Sequence, residues 1–177
     1  RVGQTRLMGR HRLIIDGYNV LHAHPEYGVL ARDDIDSARA RLVSDLTAMA
    51  SADERLTVVF DGGGNPHSDG SPHHIGQLTV VFSPAGTTAD TVIEALAHRA
   101  RERDETVMVV TSDGATRDAV RAGSVTIRSS ESFVDDLRHV GADLTRAARV
   151  SSRAPLSERI DPAISGVLAR WARGARG

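Results

Sequence analysis

The stretch Arg12-Leu-Ile-Ile-Asp-Gly-Tyr-Asn-Val-Leu21 constrains this chain most. Leu13, Ile14 and Ile15 form a short apolar run with β-branched residues that Asp16, Gly17 and Asn19 stop abruptly. A run this short, bounded by turn residues, reads as a strand buried on both faces with a carboxylate at its C-terminal end. Ligands of open α/β sheets bind at the carboxyl ends of the strands. What the chain can do therefore depends on which other acids reach that edge, and Asp61, Asp90 and Asp113 stand at comparable places.

In chain order, residues 1–12 read as a basic lead-in and roughly 13–17 as the first strand. Pro25 and Gly28 mark His22 to Arg32 as a loop. Ile35, Ala38, Leu42, Leu46 and Met49 recur at helical spacing, so a first helix is expected from about Asp34 to Ala50, with Asp33, Asp34 and Asp36 favouring its N-terminus. Leu56 to Phe60 is the second strand, Gly62 to Gln77 a long loop, and Leu78 to Phe82 the third strand. A second helix is expected over about 88–103, with Val92, Ile93, Leu96, Ala97 and Ala100 as its buried stripe. Thr106 to Val110, a short helix over about 115–122, Ser124 to Ile127 and a helix from Ser129 to about Thr145 complete the pattern. This β-α-β-β-α-β-α-β-α order implies a mostly parallel, five-stranded sheet covered by helices on both faces. Beyond it, Arg146 to Arg153 reads as a basic linker. Asp161-Pro162 then starts a last helix carrying Ile164, Val167, Leu168 and Trp171. We thus expect a lead-in over 1–12, one domain over 13–145, and a basic linker and helix over 146–177.

Composition removes several chemistries. The 177 residues include no Cys, which excludes disulfides and thiolate metal sites. All 22 basic residues are Arg, so a Schiff base, a lysine base and a P-loop are excluded as well. No apolar run approaches the roughly 20 residues that span a bilayer, and no signal peptide is visible; we expect a soluble cytoplasmic protein without membrane partners. The net charge of -1 conceals an asymmetry. Residues 1–12 hold four Arg and no acid, and 146–177 hold seven Arg against Glu158 and Asp161, while 13–145 hold 11 Arg and 21 acids. An acidic centre with basic ends fits a metal site flanked by phosphate-attracting arms; it fits equally an acidic globule with solvated tails.

Each acid has a structural alternative. Asp113 before Gly114-Ala115 suits a helix N-cap, Asp90 three residues after Thr87 suits a capping box, and Asp61-Gly62 suits a turn. Parallel topology, however, would deliver all four to one edge. Converging carboxylates either rise in pKa or are neutralised by a divalent cation. An all-oxygen site without Cys suits Mg²⁺ or Mn²⁺, with some acids acting through water. Such a site does phosphoryl chemistry. Asn19, Thr111 and Ser112 could orient a phosphate or the carboxylates, Thr87 and Thr88 at a helix N-terminus could hold a phosphate, and Tyr18 could stack a base or simply pack. Glu94 lies one turn after Asp90, as a further ligand or a surface charge. His67, His73 and His74 lack the partner spacing of a zinc site and fit exposed positions or nucleic-acid contacts. A receiver domain is disfavoured by the missing lysine, and a haloacid-dehalogenase-type phosphatase by the missing second Asp two residues after Asp16.

Leu13-Ile-Ile-Asp-Gly-Tyr-Asn19, Val58-Val-Phe-Asp-Gly62, Thr87-Thr-Ala-Asp-Thr-Val-Ile-Glu94 and Val109-Val-Thr-Ser-Asp113 together resemble the NYN domain, a PIN-like nuclease group, and in particular its YacP-like bacterial branch. The resemblance implies a PIN-like, Rossmann-like three-layer α/β/α fold with strand order 3-2-1-4-5, followed here by a C-terminal helical extension. It implies metal-dependent endoribonuclease activity, with the acidic positions matching Asp16, Asp61, Asp90 and Asp113. Asp16, Asp90 and Asp113 are then the expected ligands of Mg²⁺ or Mn²⁺, Asp61 completes the pocket, and RNA, including mRNA decayed at the ribosome, is the expected partner. The alternative is a catalytically inactive RNA- or ribosome-binding module, for which the basic ends speak.

Overall fold

The computed structural model describes residues 11–51, 54–121 and 125–151. Most of the basic lead-in and the helix expected around Trp171 lie outside the described residues. The elements are β1 (His11–Asp16), α1 (Gly17–Ala23), α2 (Pro25–Asp33), α3 (Ile35–Met49), β2 (Glu54–Phe60), β3 (His73–Ile75), β4 (Leu78–Phe82), α4 (Ala89–Arg101), β5 (Thr106–Val110), α5 (Gly114–Val120), β6 (Val125–Arg128) and α6 (Ser130–Ser151).

They build one sheet of order β3-β4-β2-β1-β5-β6, parallel throughout except that β3 runs antiparallel to β4. The expected order 3-2-1-4-5 is the five parallel strands of this sheet. The additional strand, β3, lies inside the segment 62–77, which the sequence presents as a loop. Ile75 and Leu78 close a two-residue turn in which Gly76 takes φ +57°, a hairpin signal. Alternation along each strand divides the core. Leu13 and Ile15 of β1 face a layer containing α1, α2, α3 and α6, with Tyr27, Leu42, Leu46 and Phe133. Ile14, Val59, Val107 and Val109 face α4 and α5. Strands buried on both faces are what near-continuous apolar runs such as Leu56–Phe60 encode. Each fully buried aliphatic or aromatic side chain contributes roughly 1.5–3 kcal/mol.

The expected loop from His22 to Arg32 is instead two helices meeting at His24. His24 ends α1 and caps α2, its Nδ1 accepting the Glu26 N–H at 3.2 Å, and Pro25 opens α2, where its missing N–H costs nothing. Tyr27 then ties α2 down, its ring stacked on His24 at 4.0 Å and its hydroxyl donating to Asp45 of α3 at 2.5 Å. Burial and that bond push the Tyr27 phenol pKa well up. Two further expectations change. Arg12 belongs to β1 rather than to a lead-in, because it pairs with Arg55 of β2 and Val107 of β5 in the parallel ladder, and its Nε donates to buried Glu105 at 2.7 Å. The linker expected from Arg146 is helical as far as Ser151, since its Ala and Arg residues are good helix formers.

Glu105 is the buried counter-ion of Arg12. Glu105→Ala is expected to cost about 1–3 kcal/mol, and Glu105→Gln less. In thermal unfolding that corresponds to a Tm lowered by roughly 2–4 °C per kcal/mol; an unchanged melt would remove the pair from the fold's supports.

Candidate active site at the carboxyl edge of the sheet

Asp16 ends β1 and is only 4% exposed. Its Oδ1 accepts the Asn19 N–H at 3.1 Å, which caps α1. Its Oδ2 accepts from Asn19 Nδ2 at 2.5 Å and from the Thr111 hydroxyl at 3.2 Å. Parallel pairing sets Ile15 opposite Val110, so the next residues, Asp16 and Thr111, leave the sheet side by side. Thr111 Oγ1 also accepts the Asp113 N–H at 3.1 Å. One buried hydroxyl therefore joins the first acid to the backbone of the last.

Asp113 caps α5, its Oδ2 accepting the Thr116 N–H at 2.8 Å. The Thr116 hydroxyl lies 3.1 Å from that oxygen and donates to Asp90 Oδ1. A hydroxyl carries one proton, so two carboxylates approach Thr116 and one receives its hydrogen. Asp61 Oδ1 accepts the Gly63 N–H at 2.6 Å, and its Oδ2 accepts the Ala89 N–H at 3.3 Å. That bond sets Asp61 on the positive end of α4, one residue before Asp90. The loop behind Asp61 is fixed by Gly62, whose N–H donates to Ser83 Oγ at 2.9 Å. A Cβ at Gly62 would fall 2.1 Å from the Ser83 carbonyl, so no larger residue fits.

The four expected acids thus meet at one edge: Asp16 and Asp113 share Thr111, Asp113 and Asp90 share Thr116, and Asp61 adjoins Asp90. Burial raises the Asp16 pKa; hydrogen bonds from Asn19 and Thr111 oppose the rise and the charge of Asp90 adds to it. None of these leading influences is a cation. The Asp113 carboxyl is lowered by the Thr116 N–H. All donors are oxygens, which suits a hard divalent cation. Among the described residues, though, no three His, Asp or Glu side chains stand close enough together to hold a metal ion directly. The donor set fits a cation bound through one or two carboxylates with waters completing its shell, the manner of Mg²⁺.

The remaining expected site residues divide. Asn19 and Ser112 lie in the network, Ser112 Oγ donating to Glu131 at 2.7 Å and accepting the Ser130 N–H at 3.0 Å. Tyr18 is half-buried and packs edge-on against Phe60, with its hydroxyl against the buried Arg39 guanidinium. Thr88, not Thr87, caps α4 by accepting the Thr91 N–H at 3.3 Å. Asp90 therefore serves no capping box with Thr87, and the Ala89 N–H is taken by Asp61 rather than left for a phosphate. Glu94 is exposed. His73 and His74 lie in β3, and His67 is exposed. Thr116 and Glu131 escaped the sequence reading. Thr116 is three residues after Asp113, the capping interval, and Glu131 is an acid following a strand, the same signal that exposed Asp113. The Ser112 hydroxyl lowers the Glu131 carboxyl.

The sequence profile of the YacP-like NYN domain matches residues 13–173. The YacP protein of Bacillus subtilis (strain 168) is 24% identical over 167 residues, spanning 92% of this chain and 96% of its own length. The crystal structure of Rae1 (YacP) from Bacillus subtilis has a TM-score of 0.66 at 24% identity, covering 93% of this chain and 94% of that one. A single-substitution variant of it gives 0.64 at 23% identity, over 90% and 91%. At this identity the solved structures speak to the fold alone.

The raised pKa of Asp16 has a consequence for stability. Its folded value lies above the ordinary 3.8, so the ionised form is the one the fold disfavours. The related stability is complete below that ordinary value and is lost as pH rises through the raised one. Asp16→Asn, in which the Thr111 hydroxyl and the Asn19 amide can turn to accept, is expected to melt higher than the parent at pH 7 in EDTA. That advantage should vanish near pH 4; a gap independent of pH would refute the desolvated charge.

Proposed function

The chain belongs to the YacP-like NYN domain family, a nuclease-type family, and from that membership we propose that it is a divalent-metal-dependent endoribonuclease hydrolysing RNA phosphodiester bonds. The observation that carries this reading is the linkage of Asp16, Asp113 and Asp90 through two threonine hydroxyls at the carboxyl edge of the sheet. Asp16, Asp90 and Asp113 would hold the cation, Mg²⁺ or Mn²⁺, one or two of them directly and the rest through water. When bound, that cation supplies neutralisation of phosphate charge and a more acidic water. Asn19 and Thr111 fix both oxygens of Asp16, and Thr116 keeps Asp90 and Asp113 together without an intervening positive side chain. Asp61 holds the start of α4 against the edge. Ser112, anchored by Glu131, sets the turn that carries Asp113. The cut of mRNA at the ribosome, in the cytoplasm, is the setting we propose. Among the described residues no helix is long and apolar enough to cross a membrane.

A second reading, an RNA- or ribosome-binding module without catalysis, is favoured by one observation: no three acids stand at ligand spacing among the described residues. Cleavage of RNA with Mg²⁺ or Mn²⁺ and with EDTA separates the two. The nuclease reading expects cleavage that EDTA abolishes and that Asp16→Asn or Asp113→Asn lowers on the order of 100-fold or more. It also expects Mn²⁺ to raise the Tm of the parent and not of Asp16→Asn, as a ligand of the native state does. RNA bound but left intact under every metal condition would give the binding module instead.

A further inference from the structure

Beside α4, whose Leu96 lines it, a cleft of about 340 Å³ opens on the same face of the sheet. Thr57 and Thr79 line its floor, His74 and Gln77 of the β3–β4 hairpin one wall, and Arg12 and Arg55 the end nearest the strand starts. This face is apolar under α4, where Ile14, Val59, Val107 and Val109 pack, and turns polar and basic where the helix stops covering it. Among the described residues no lining side chain is acidic. Glu105, behind the cleft, holds Arg12 at 2.7 Å but lies 3.9 Å from the half-exposed Arg55. One acid thus faces two guanidiniums, which leaves positive charge at the cleft. Every other polar group named there is a hydrogen-bond donor or can act as one, and His74 Nδ1 is 3.1 Å from Thr79 Oγ1. Arginine beside hydroxyl and amide donors is the chemistry that holds a phosphate. The larger cleft between α2, α3 and α6 also has more arginines than acids, but Glu26 and Asp45 line it directly and would repel a phosphate.

The cleft also stands in register with the acidic edge. Arg55, Thr57, Val59 and Asp61 alternate along β2 and its end, so Arg55 lies on the same face as Asp61, about 20 Å nearer the strand starts. We propose that the cleft binds a backbone phosphate of the single-stranded RNA substrate, about six nucleotides or fewer from the scissile bond. The proposal rests on the nuclease reading, since it assigns that enzyme a second contact on its substrate.

The test is binding of a single-stranded RNA of about 12 nucleotides to the full chain in EDTA, followed by fluorescence anisotropy across a salt series. Arg55→Ala should raise Kd about three- to tenfold and flatten the slope of log K against log salt by about 0.7, the loss of one phosphate contact. Arg32→Ala, an exposed arginine on α2 at the opposite face, controls for net charge and should leave both unchanged. In cleavage, Arg55→Ala should raise KM and leave kcat unchanged. Equal Kd and slope in the two variants, or no binding by the parent, would overturn the proposal. Arg55-dependent binding without cleavage would sink the nuclease and keep the cleft; cleavage with Arg55-independent binding would do the reverse.

Discussion

A carboxylate withdrawn from water beside other carboxylates is the constraint on which this structure turns. Asp16 could relieve it with an arginine, as Glu105 does with Arg12. It is held instead by neutral donors from Asn19 and Thr111. Neutral donors orient a carboxylate without cancelling its charge, so the edge keeps a standing demand for positive charge from elsewhere. The two ends of the sheet are thus opposites: at the strand starts Glu105 is answered by the guanidiniums of Arg12 and Arg55, and at the strand ends a set of acids is left open.

The sheet supplies that arrangement at little cost in special residues. Parallel pairing of β1 with β5 puts Asp16 and Thr111 together, and α4 and α5, which begin at the same edge, bring Asp90 and Asp113. Asp113 is both an N-cap and a member of the acidic network, so the structural and chemical readings of that residue are compatible. For Asp90 they separate, because Thr88 takes the cap and leaves the carboxylate to Thr116.

Five strands of a mostly parallel sheet and the four acids were legible because both follow from short-range patterns, apolar runs of strand length with turn residues and acids after them; the direction of Leu78–Phe82 was not, since no crossover helix precedes it. What was not legible depended on partners remote in sequence. Pro25 and Gly28 look like loop residues until Tyr27 is seen stacked on His24 and bonded to Asp45, which holds α2 in place. β3 is too short to show a period and exists through its pairing with β4. The packing of Tyr18 was likewise hidden, because Phe60 and Arg39, its neighbours in space, are distant along the chain. Glu131 was readable by the rule that found Asp113, yet its link to Ser112 spans two elements.

The β3 hairpin has one more effect. A parallel sheet ending on β4 would present Leu78–Phe82, a strand apolar except for Thr79, as its border. Such a border is a template on which a second molecule can add its own strand. Three residues, two of them histidine, occupy it instead. A border that brief and that polar offers an incoming chain little to grip, and so discourages polymerisation along the sheet.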